Sequence, residues 1–226
     1  NGEVLHTEVT SPLPNVIRVH HRRLLGRNKR SSGFPGIQSE PASLETGHAP
    51  PDAERTDEGP WCRSGVLTFQ VEKPVGFRVQ AAGHELTAST PSGLVAVRTR
   101  TGEEWMSERL DLNPGDLVYG LGERFSPFVR NGQSVRIRQE DAATESDLSY
   151  KNLPFYLTNA GYGVLVNSSD AVEFEVATAE VNAVRFAVPG YELDYFIIYG
   201  PEPAQILKRY CQLTGFPPRV PRWSWG

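Results

Sequence analysis

From residue 66 to residue 199, short apolar runs alternate with turn residues, which is the pattern of an all-β domain. In residues 172–176 three apolar residues alternate with two glutamates, so one face of this strand is expected to be buried and the other solvated. The predicted strands are residues 66–71, 77–80, 94–99, 117–119, 135–138, 155–158, 164–167, 172–176, 184–188 and 193–199. Because few helical segments separate them, the fold class is mainly β, an antiparallel β-sandwich or barrel.

One helix is predicted near the end of the chain. The residues that fall near one face of a 3.6-residue period are Ile206, Leu207, Tyr210 and Leu213. Pro203 suits the first turn of a helix, and Gly215 followed by Pro217 provides a stop. The segment after it contains Trp223 and Trp225, and we expect it to open a further domain that is cut off.

Residues 3–19 also alternate in a strand-like manner, whereas the pattern is lost between about residues 20 and 60. This segment carries a basic run that ends at Arg30, followed by a tract rich in Gly, Pro, Ser and Glu. It has too few apolar residues to offset its ordering entropy, so we expect an irregular or disordered insertion or loop. A basic run can bind nucleic acid, but no aromatic residue is interleaved with this one, which favours a solvated linker.

Composition and charge narrow the choice of partners. The 226 residues carry 23 Lys and Arg against 27 Asp and Glu, a net charge of −4. This balance gives no electrostatic reason to expect nucleic acid or an anionic membrane as the main partner. No stretch approaches the ~18 apolar residues of a membrane span, and the first residues lack the pattern of a signal peptide. A cytoplasmic location is therefore expected.

The richest candidate chemistry lies between residues 131 and 167. A loop between two predicted strands contains the acids Glu140, Asp141, Glu145 and Asp147. Carboxylates accept hydrogen bonds from sugar hydroxyls, the aromatic rings that follow can pack on a pyranose, and paired carboxylates can hydrolyse a glycosidic bond. Acids between strands are more often solvated. The residues alone favour that interpretation for Glu145 and Asp147, and leave both interpretations open for Asp141.

Other catalytic and cofactor signatures are missing. The sequence has no nucleophile elbow, no His-Glu-x-x-His motif and no phosphate-binding loop, and Gly120-Leu121-Gly122 lacks the third glycine of a dinucleotide site. Cys62 and Cys211 match no metal or redox spacing, so we expect free thiols. The five histidines do not cluster beside acids or cysteines at the spacing of metal ligands. We predict no metal and no cofactor.

Several blocks resemble one known family and occur in its order. They are VYGLGERF at 118–125, RNG at 130–132, YKNLPFYLTN at 150–159, GYGVLVN at 161–167 and YCQLTGFP at 210–217. Together they resemble glycoside hydrolase family 31, and within it the α-xylosidase branch. The similarity runs from about residue 117 to residue 226, and VTSPLPNVIRV at 9–19 looks like the first strands of that family.

This resemblance implies a galactose-mutarotase-like N-terminal β-sandwich that precedes a (β/α)8 barrel, which hydrolyses α-linked glycosides with retention. In that family both catalytic residues are aspartates of the barrel. A barrel of this type needs ~250 residues. We therefore expect the chain to lack the barrel and to contain no catalytic residue, so that it is inactive by itself.

The resemblance also assigns a role to Asp141. The sandwich of this family is thought to lend a loop to the sugar pocket, and by position its aspartate matches Asp141. The family has a Trp three residues before that aspartate and two glycines after it. Here Arg138, Ala142 and Ala143 stand instead. Loss of the glycines narrows the backbone conformations open to this loop.

The predicted layout has four parts: first strands at 1–19, the irregular insertion at 20–60, the sandwich at 61–200, and a linker helix with the barrel entry at 201–226. The first hypothesis is the N-terminal portion of a retaining α-glycosidase with an α-linked glycoside as substrate, and any oligomer would form through the parent enzyme. The alternative is a stand-alone carbohydrate-binding or scaffold sandwich without catalysis.

Overall fold

The computed structural model of the protein describes residues 4–24, 52–56, 59–72, 76–138 and 149–225. Its strands are β1 Val4–Leu13, β2 Val16–Leu24, β3 Asp52–Thr56, β4 Gly59–Ser64, β5 Leu67–Glu72, β6 Gly76–Ala81, β7 His84–Ser89, β8 Val95–Arg98, β9 Glu104–Asp111, β10 Val118–Gly120, β11 Gln133–Ile137, β12 Phe155–Thr158, β13 Tyr162–Val166, β14 Val172–Val176, β15 Ala183–Pro189 and β16 Glu192–Tyr199. The helix α1 spans Pro203–Thr214, and a short 3-10 helix spans Arg222–Trp225.

The described strands form three antiparallel sheets. A six-stranded sheet has the order β1-β2-β16-β13-β12-β10. Two five-stranded sheets have the orders β11-β14-β15-β9-β8 and β3-β4-β5-β6-β7. Ile17 and Val19 of the first sheet, Phe174 and Phe186 of the second, and side chains of the third belong to one buried cluster. The predicted antiparallel β-sandwich is therefore confirmed, and the N-terminal strands are part of it.

The six-stranded sheet is covered on both faces. Along β16, Tyr195 and Ile197 point into the main core, while Phe196 and Ile198 belong to a second cluster on the opposite face. This is why residues 195–199 of β16 form an unbroken apolar run, since a strand buried on both faces does not alternate with polar residues. The second cluster lies beneath α1, whose Ile206 is fully buried.

The helix begins at Pro203 and ends before Gly215, as its flanking residues predict. Ile206 is buried, and Tyr210 and Leu213 pack against the same cluster. Leu207 is 45% exposed, so its predicted place on the buried face is wrong. Adjacent helical residues are separated by about 100°, and the i, i+4, i+7 series that starts at Ile206 takes the sheet-facing side.

Gly163 lets α1 approach the sheet. A Cβ at this position would lie 2.9 Å from Cγ2 of Ile206 and 2.8 Å from the carbonyl oxygen of Tyr156. Both distances are shorter than van der Waals contact. The close approach of helix and sheet therefore depends on the missing side chain.

Two parts of the strand pattern differ from expectation. The range 20–60, which was expected to be irregular, contains strands at both ends, because β2 continues to Leu24 and residues 52–56 form β3. Residues 25–51, 57 and 58 of this range lie outside the described structure. β4, β7 and β9 lie outside the predicted strands. Polar side chains of β9 and of the end of β2 pair with partners that are distant in sequence. For example, Nη1 of Arg23 in β2 lies 2.7 Å from Oε2 of Glu104 in β9. The local sequence does not reveal such partners.

Candidate functional site

The candidate site is the loop that joins β11 to β12. β11 ends at Ile137, Arg138 follows it, and the described chain resumes at Ser149. Asp141 lies outside the described residues, as do the other three acids of this loop. The structure therefore shows the two ends of the loop and the side chains that hold them, and the role of Asp141 stays a prediction.

Arg124 joins the two ends of the loop. Its Nε donates to the carbonyl oxygen of Leu121 at 3.0 Å. Its Nη2 donates to the carbonyl oxygen of Arg136 at 3.0 Å, on the incoming side of the loop. The same nitrogen donates to Oδ1 of Asn152 at 2.8 Å, on the outgoing side. Because Asn152 also donates to the carbonyl oxygen of Ser149, one guanidinium connects the last strand before the loop with the first residues after it.

A second arginine supports the turn that carries Arg124. Arg130 is buried, and its Nε donates to the carbonyl oxygen of Gly120 at 2.9 Å. Its Nη1 donates to Oγ of Ser126 at 2.6 Å and to the carbonyl oxygen of Pro127 at 3.0 Å. These acceptors are neutral, and burial lowers the pKa of Arg130 from its ordinary value. The arginine therefore organises the backbone of residues 120–127.

The backbone between β10 and Arg124 has an unusual conformation. Gly120, Leu121 and Gly122 have φ values of 107°, 62° and 84°. A leucine at positive φ is uncommon, and the surrounding structure must impose it. Leu121 is fully buried, and its backbone N–H donates to the carbonyl oxygen of Phe155 at 2.9 Å. Burial of this side chain and pairing with β12 hold the turn in place.

Exposed aromatic and charged groups lie in the segments next to this turn. Phe125 and Phe128 are 78% and 77% exposed, and Tyr150 is 61% exposed. Lys151 pairs with Glu123 at 2.8 Å, which links the turn to the residues after the loop. Aromatic faces and carboxylates are the groups that bind sugars. The described residues thus supply exposed aromatic side chains in the segments that flank the turn, and a support for the two ends of the loop.

Phe155 and Tyr156, two of the aromatic residues that follow the loop in sequence, are both buried and belong to the core. Cys62 and Cys211 are free thiols, as predicted. Within residues 4–24, 52–56, 59–72, 76–138 and 149–225, no three His, Cys, Asp or Glu side chains lie together as a metal site would need. No helix in the same segments is long and apolar enough to cross a membrane.

Two features of the structure are not evident from the sequence. Arg124 and Arg130 occur in the blocks that carry the family resemblance, but their roles as supports depend on partners elsewhere in the chain. The second feature is a buried pair, His21 and Glu108, whose Nε2 and Oε2 atoms lie 3.3 Å apart between two sheets. A histidine in an alternating strand gives no local signal of such a partner.

The three antiparallel sheets and their shared core define a class, that of β-sandwich domains. The family model for the glycosyl hydrolase 31 N-terminal galactose mutarotase-like domain matches residues 6–175. The chain therefore belongs to glycosyl hydrolase family 31, as the N-terminal domain that this model describes.

Related proteins agree with this assignment. An alpha-xylosidase of Lactiplantibacillus pentosus is 45% identical over 221 residues, which is 96% of this chain and 28% of the relative. An alpha-xylosidase of Emericella nidulans is 53% identical over 117 residues, 52% of this chain and 15% of the relative. The chain thus spans less than a third of either relative.

A solved structure shows the same fold. The family 31 dextranase of Flavobacterium johnsoniae, in complex with isomaltotriose, superposes with a TM-score of 0.81 at 19% identity. The superposition covers 100% of this chain and 27% of the dextranase. At this level of identity the similarity establishes the fold alone.

Proposed function

We propose that this chain is the N-terminal sandwich of a retaining α-glycosidase that acts on α-xylosides, and that its β11–β12 loop contributes Asp141 to the sugar pocket. The observation that carries the proposal is the 45% identity, over 96% of the chain, to an alpha-xylosidase. The catalytic acids would then be supplied by residues outside these 226. The sandwich would orient one loop of the pocket rather than break the glycosidic bond.

The hydrogen bonds at the two ends of the loop support a role of the sandwich in orienting the loop. Arg124 ties Arg136 to Asn152, so both ends of the loop are fixed to the turn at residues 120–122. A carboxylate that binds a sugar hydroxyl must be held within a fraction of an ångström, and rigid supports of this kind supply that precision. In the proposed site Arg124 is a positioning residue, and Asp141 accepts a hydrogen bond from the substrate.

The experiment compares aryl α-xyloside and aryl α-glucoside hydrolysis by the full-length gene product with hydrolysis by residues 1–226. We expect the full-length protein to prefer the xyloside and the 226-residue chain to be inactive. Hydrolysis by the chain alone, or absence of glycosidase activity in the full-length protein, would contradict the proposal.

The role of Asp141 is tested in the same full-length protein. Charged hydrogen bonds contribute about 1.5–3 kcal/mol, so Asp141→Ala should lower kcat/KM by about 10- to 150-fold. Asp147→Ala is the matched control in the same loop and should leave kcat/KM unchanged. Equal effects of the two substitutions would remove the specific role of Asp141.

The alternative of a stand-alone carbohydrate-binding sandwich is not favoured, because the relatives that match this chain are much longer and are named as enzymes. Calorimetric titration of the 226-residue chain with xylo- and gluco-oligosaccharides distinguishes the two. The proposed function predicts no measurable heat, since the part of the pocket that holds the catalytic acids would be missing.

A further inference from the structure

Strand β8 forms an open edge of the β11-β14-β15-β9-β8 sheet. It is the last strand of this sheet in the part of the chain that the structure describes. All four of its residues are exposed, Val95 by 36% and Val97 by 45%. A strand at a sheet edge presents N–H and C=O groups that can pair with a strand of another molecule. The edge of β8 is therefore accessible to a partner strand.

A hydrogen bond next to β8 shows which of its backbone groups face outwards. The N–H of Thr99, directly after the strand, donates to the carbonyl oxygen of Glu103 at 2.8 Å. In an antiparallel pair, alternate residues direct their backbone groups to the same neighbouring strand. Val95 and Val97 therefore direct theirs to β9, as Thr99 does. The N–H and C=O of Ala96, between them, point to the open edge.

The side chains of β8 do not protect this edge. Natural edge strands commonly carry charged residues, prolines or bulges that prevent pairing with other molecules. β11, at the opposite edge of the same sheet, carries Arg136, whose side chain is 54% exposed. β8 consists of two valines, an alanine and a terminal Arg98. Val97 also continues an apolar row, because its partner Trp105 lies opposite Pro189 of β15.

An antiparallel register centred on Ala96 makes the edge self-complementary. The outward N–H and C=O groups of Ala96 in two copies then pair with each other across a two-fold axis. Val95 of one copy lies opposite Val97 of the other, and β-branched cross-strand pairs stabilise a sheet. Arg98 lies opposite Leu94 of the second copy, so the two arginines do not face each other. Self-complementarity of this kind is what a two-fold interface requires, which selects a second copy as the partner.

We propose that two copies of this chain pair through their β8 strands in this register, so that the five-stranded sheet of one copy continues into that of the other. A strand of four residues buries little surface, so the dimer is weak and exchanges with the monomer. The interface uses no residue of the β11–β12 loop, and the proposal does not depend on the reaction proposed above.

The first test is the concentration dependence of the mass in solution. Sedimentation of the 226-residue chain is measured from about 10 μM to about 1 mM, the range in which a weak dimer dissociates. We expect the weight-average mass to rise from that of the monomer towards that of the dimer. A monomer mass at every concentration would overturn the proposal.

Variants then locate the interface. Ala96→Lys places two ammonium groups opposite each other across the two-fold axis and should raise the dimer Kd by about tenfold. Ala96→Thr keeps a neutral strand former and should leave the Kd unchanged. Ser134→Lys adds the same charge at an exposed position of β11, the other edge of the sheet, and should also leave it unchanged. An Ala96→Lys variant that associates like the parent chain would overturn the proposal.

Cross-linking tests the register. Both variants carry Cys211→Ser, which leaves Cys62, a buried thiol. Two Ala96→Cys residues would have Cα atoms about 5.5 Å apart, within the range of a disulfide. Two Val97→Cys residues would be diagonal neighbours about 7–8 Å apart, too far for one. We expect mild oxidation to give a covalent dimer of the Ala96→Cys variant and not of the Val97→Cys variant. Equal cross-linking of the two would overturn the proposed pairing.

Discussion

Arg124 and Asn152 are 28 residues apart in sequence, and Nη2 of the arginine donates to Oδ1 of the asparagine at 2.8 Å. The same nitrogen donates to the carbonyl oxygen of Arg136 at the end of β11. This shared donor is the contact that connects the two sides of the loop with the candidate aspartate. Because one acceptor is backbone and the other is an amide, the geometry depends on the planar guanidinium rather than on charge pairing.

Substitution of Arg124 should therefore destabilise the sandwich. Among the described residues, Arg124→Ala removes the charge-assisted hydrogen bonds to Leu121, Arg136 and Asn152, and it leaves two backbone carbonyl groups without this donor. We expect the free energy of unfolding of the 226-residue chain to fall by about 1.5–3 kcal/mol, measured by urea denaturation. Arg124→Lys should recover only part of this loss, since an ammonium group lacks the fork geometry.

Arg136→Ala is the matched control for that measurement. The Arg136 side chain is 54% exposed and lies 3.7 Å from Glu173, while its carbonyl oxygen, which Arg124 contacts, remains in the variant. A surface pair of this kind contributes about 0–1 kcal/mol. If both alanine variants lost the same stability, the connecting role of Arg124 would be wrong.

Gly122 provides a second test of the same turn. It has φ +84°, and a Cβ there would overlap the carbonyl oxygen of Lys151. Gly122→Ala should cost about 2–5 kcal/mol, because overpacking adds to the backbone strain of about 1–2 kcal/mol. Gly115→Ala, at φ +90° with no atom within 4 Å of the added Cβ, should cost the strain alone. Equal losses in thermal unfolding would contradict the close contact with residue 151.

Local pattern predicts those strands whose burial is one-sided or whose residues are uniformly apolar. The predicted strands at residues 155–158 and 172–176 have the bounds of β12 and β14. β9 escapes prediction because Glu108 and Arg109 make it look like a solvated segment, although both are buried. His21 and Glu180, which are far away in sequence, lie against Glu108 and Arg109 and help to offset the cost of burying their charges.

The candidate site, too, could be predicted from the sequence only in part. Family resemblance draws attention to the blocks that contain Arg124, Arg130 and Asn152, but not to what these residues contact. The acceptors of Arg124 include a backbone carbonyl, and every residue has one, so no sequence pattern marks it. The role assigned to Asp141 rests on the family resemblance alone, and the kinetic comparison of Asp141→Ala with Asp147→Ala tests it.

Docking of α1 on the sheet is tested with two adjacent residues. Ile206 is fully buried in the cluster beneath the helix, while Leu207 is 45% exposed. Ile206→Ala should lower the free energy of unfolding by about 2–5 kcal/mol, and Leu207→Ala by less than about 0.5 kcal/mol. The two substitutions have similar effects on helix propensity. Similar losses for both, measured by thermal unfolding, would mean that α1 does not pack through Ile206.

The last prediction concerns the loss of stability at low pH that results from protonation of Glu180. Nε of Arg109 donates to Oε2 of Glu180 at 2.6 Å, and this hydrogen bond lowers the pKa of the Glu180 carboxyl below its ordinary value. A carboxyl with a lowered pKa stabilises the fold above its unfolded pKa of about 4.3, and the contribution is lost as the pH falls through the folded value. Because the Glu180 side chain is 43% exposed, solvent screening limits the contribution to about 0.5 kcal/mol.

Glu180→Gln should therefore be less stable than the parent chain by that amount at pH 7, and the difference should shrink towards zero as the pH falls below about 4. Urea denaturation of both proteins from pH 7 to pH 3 measures it. Added salt should reduce the difference at pH 7, because the Glu180 carboxylate is partly exposed and its charge is screened. A difference that grew on acidification would have the wrong sign for a carboxylate held by Arg109, and would assign the stabilisation to another group.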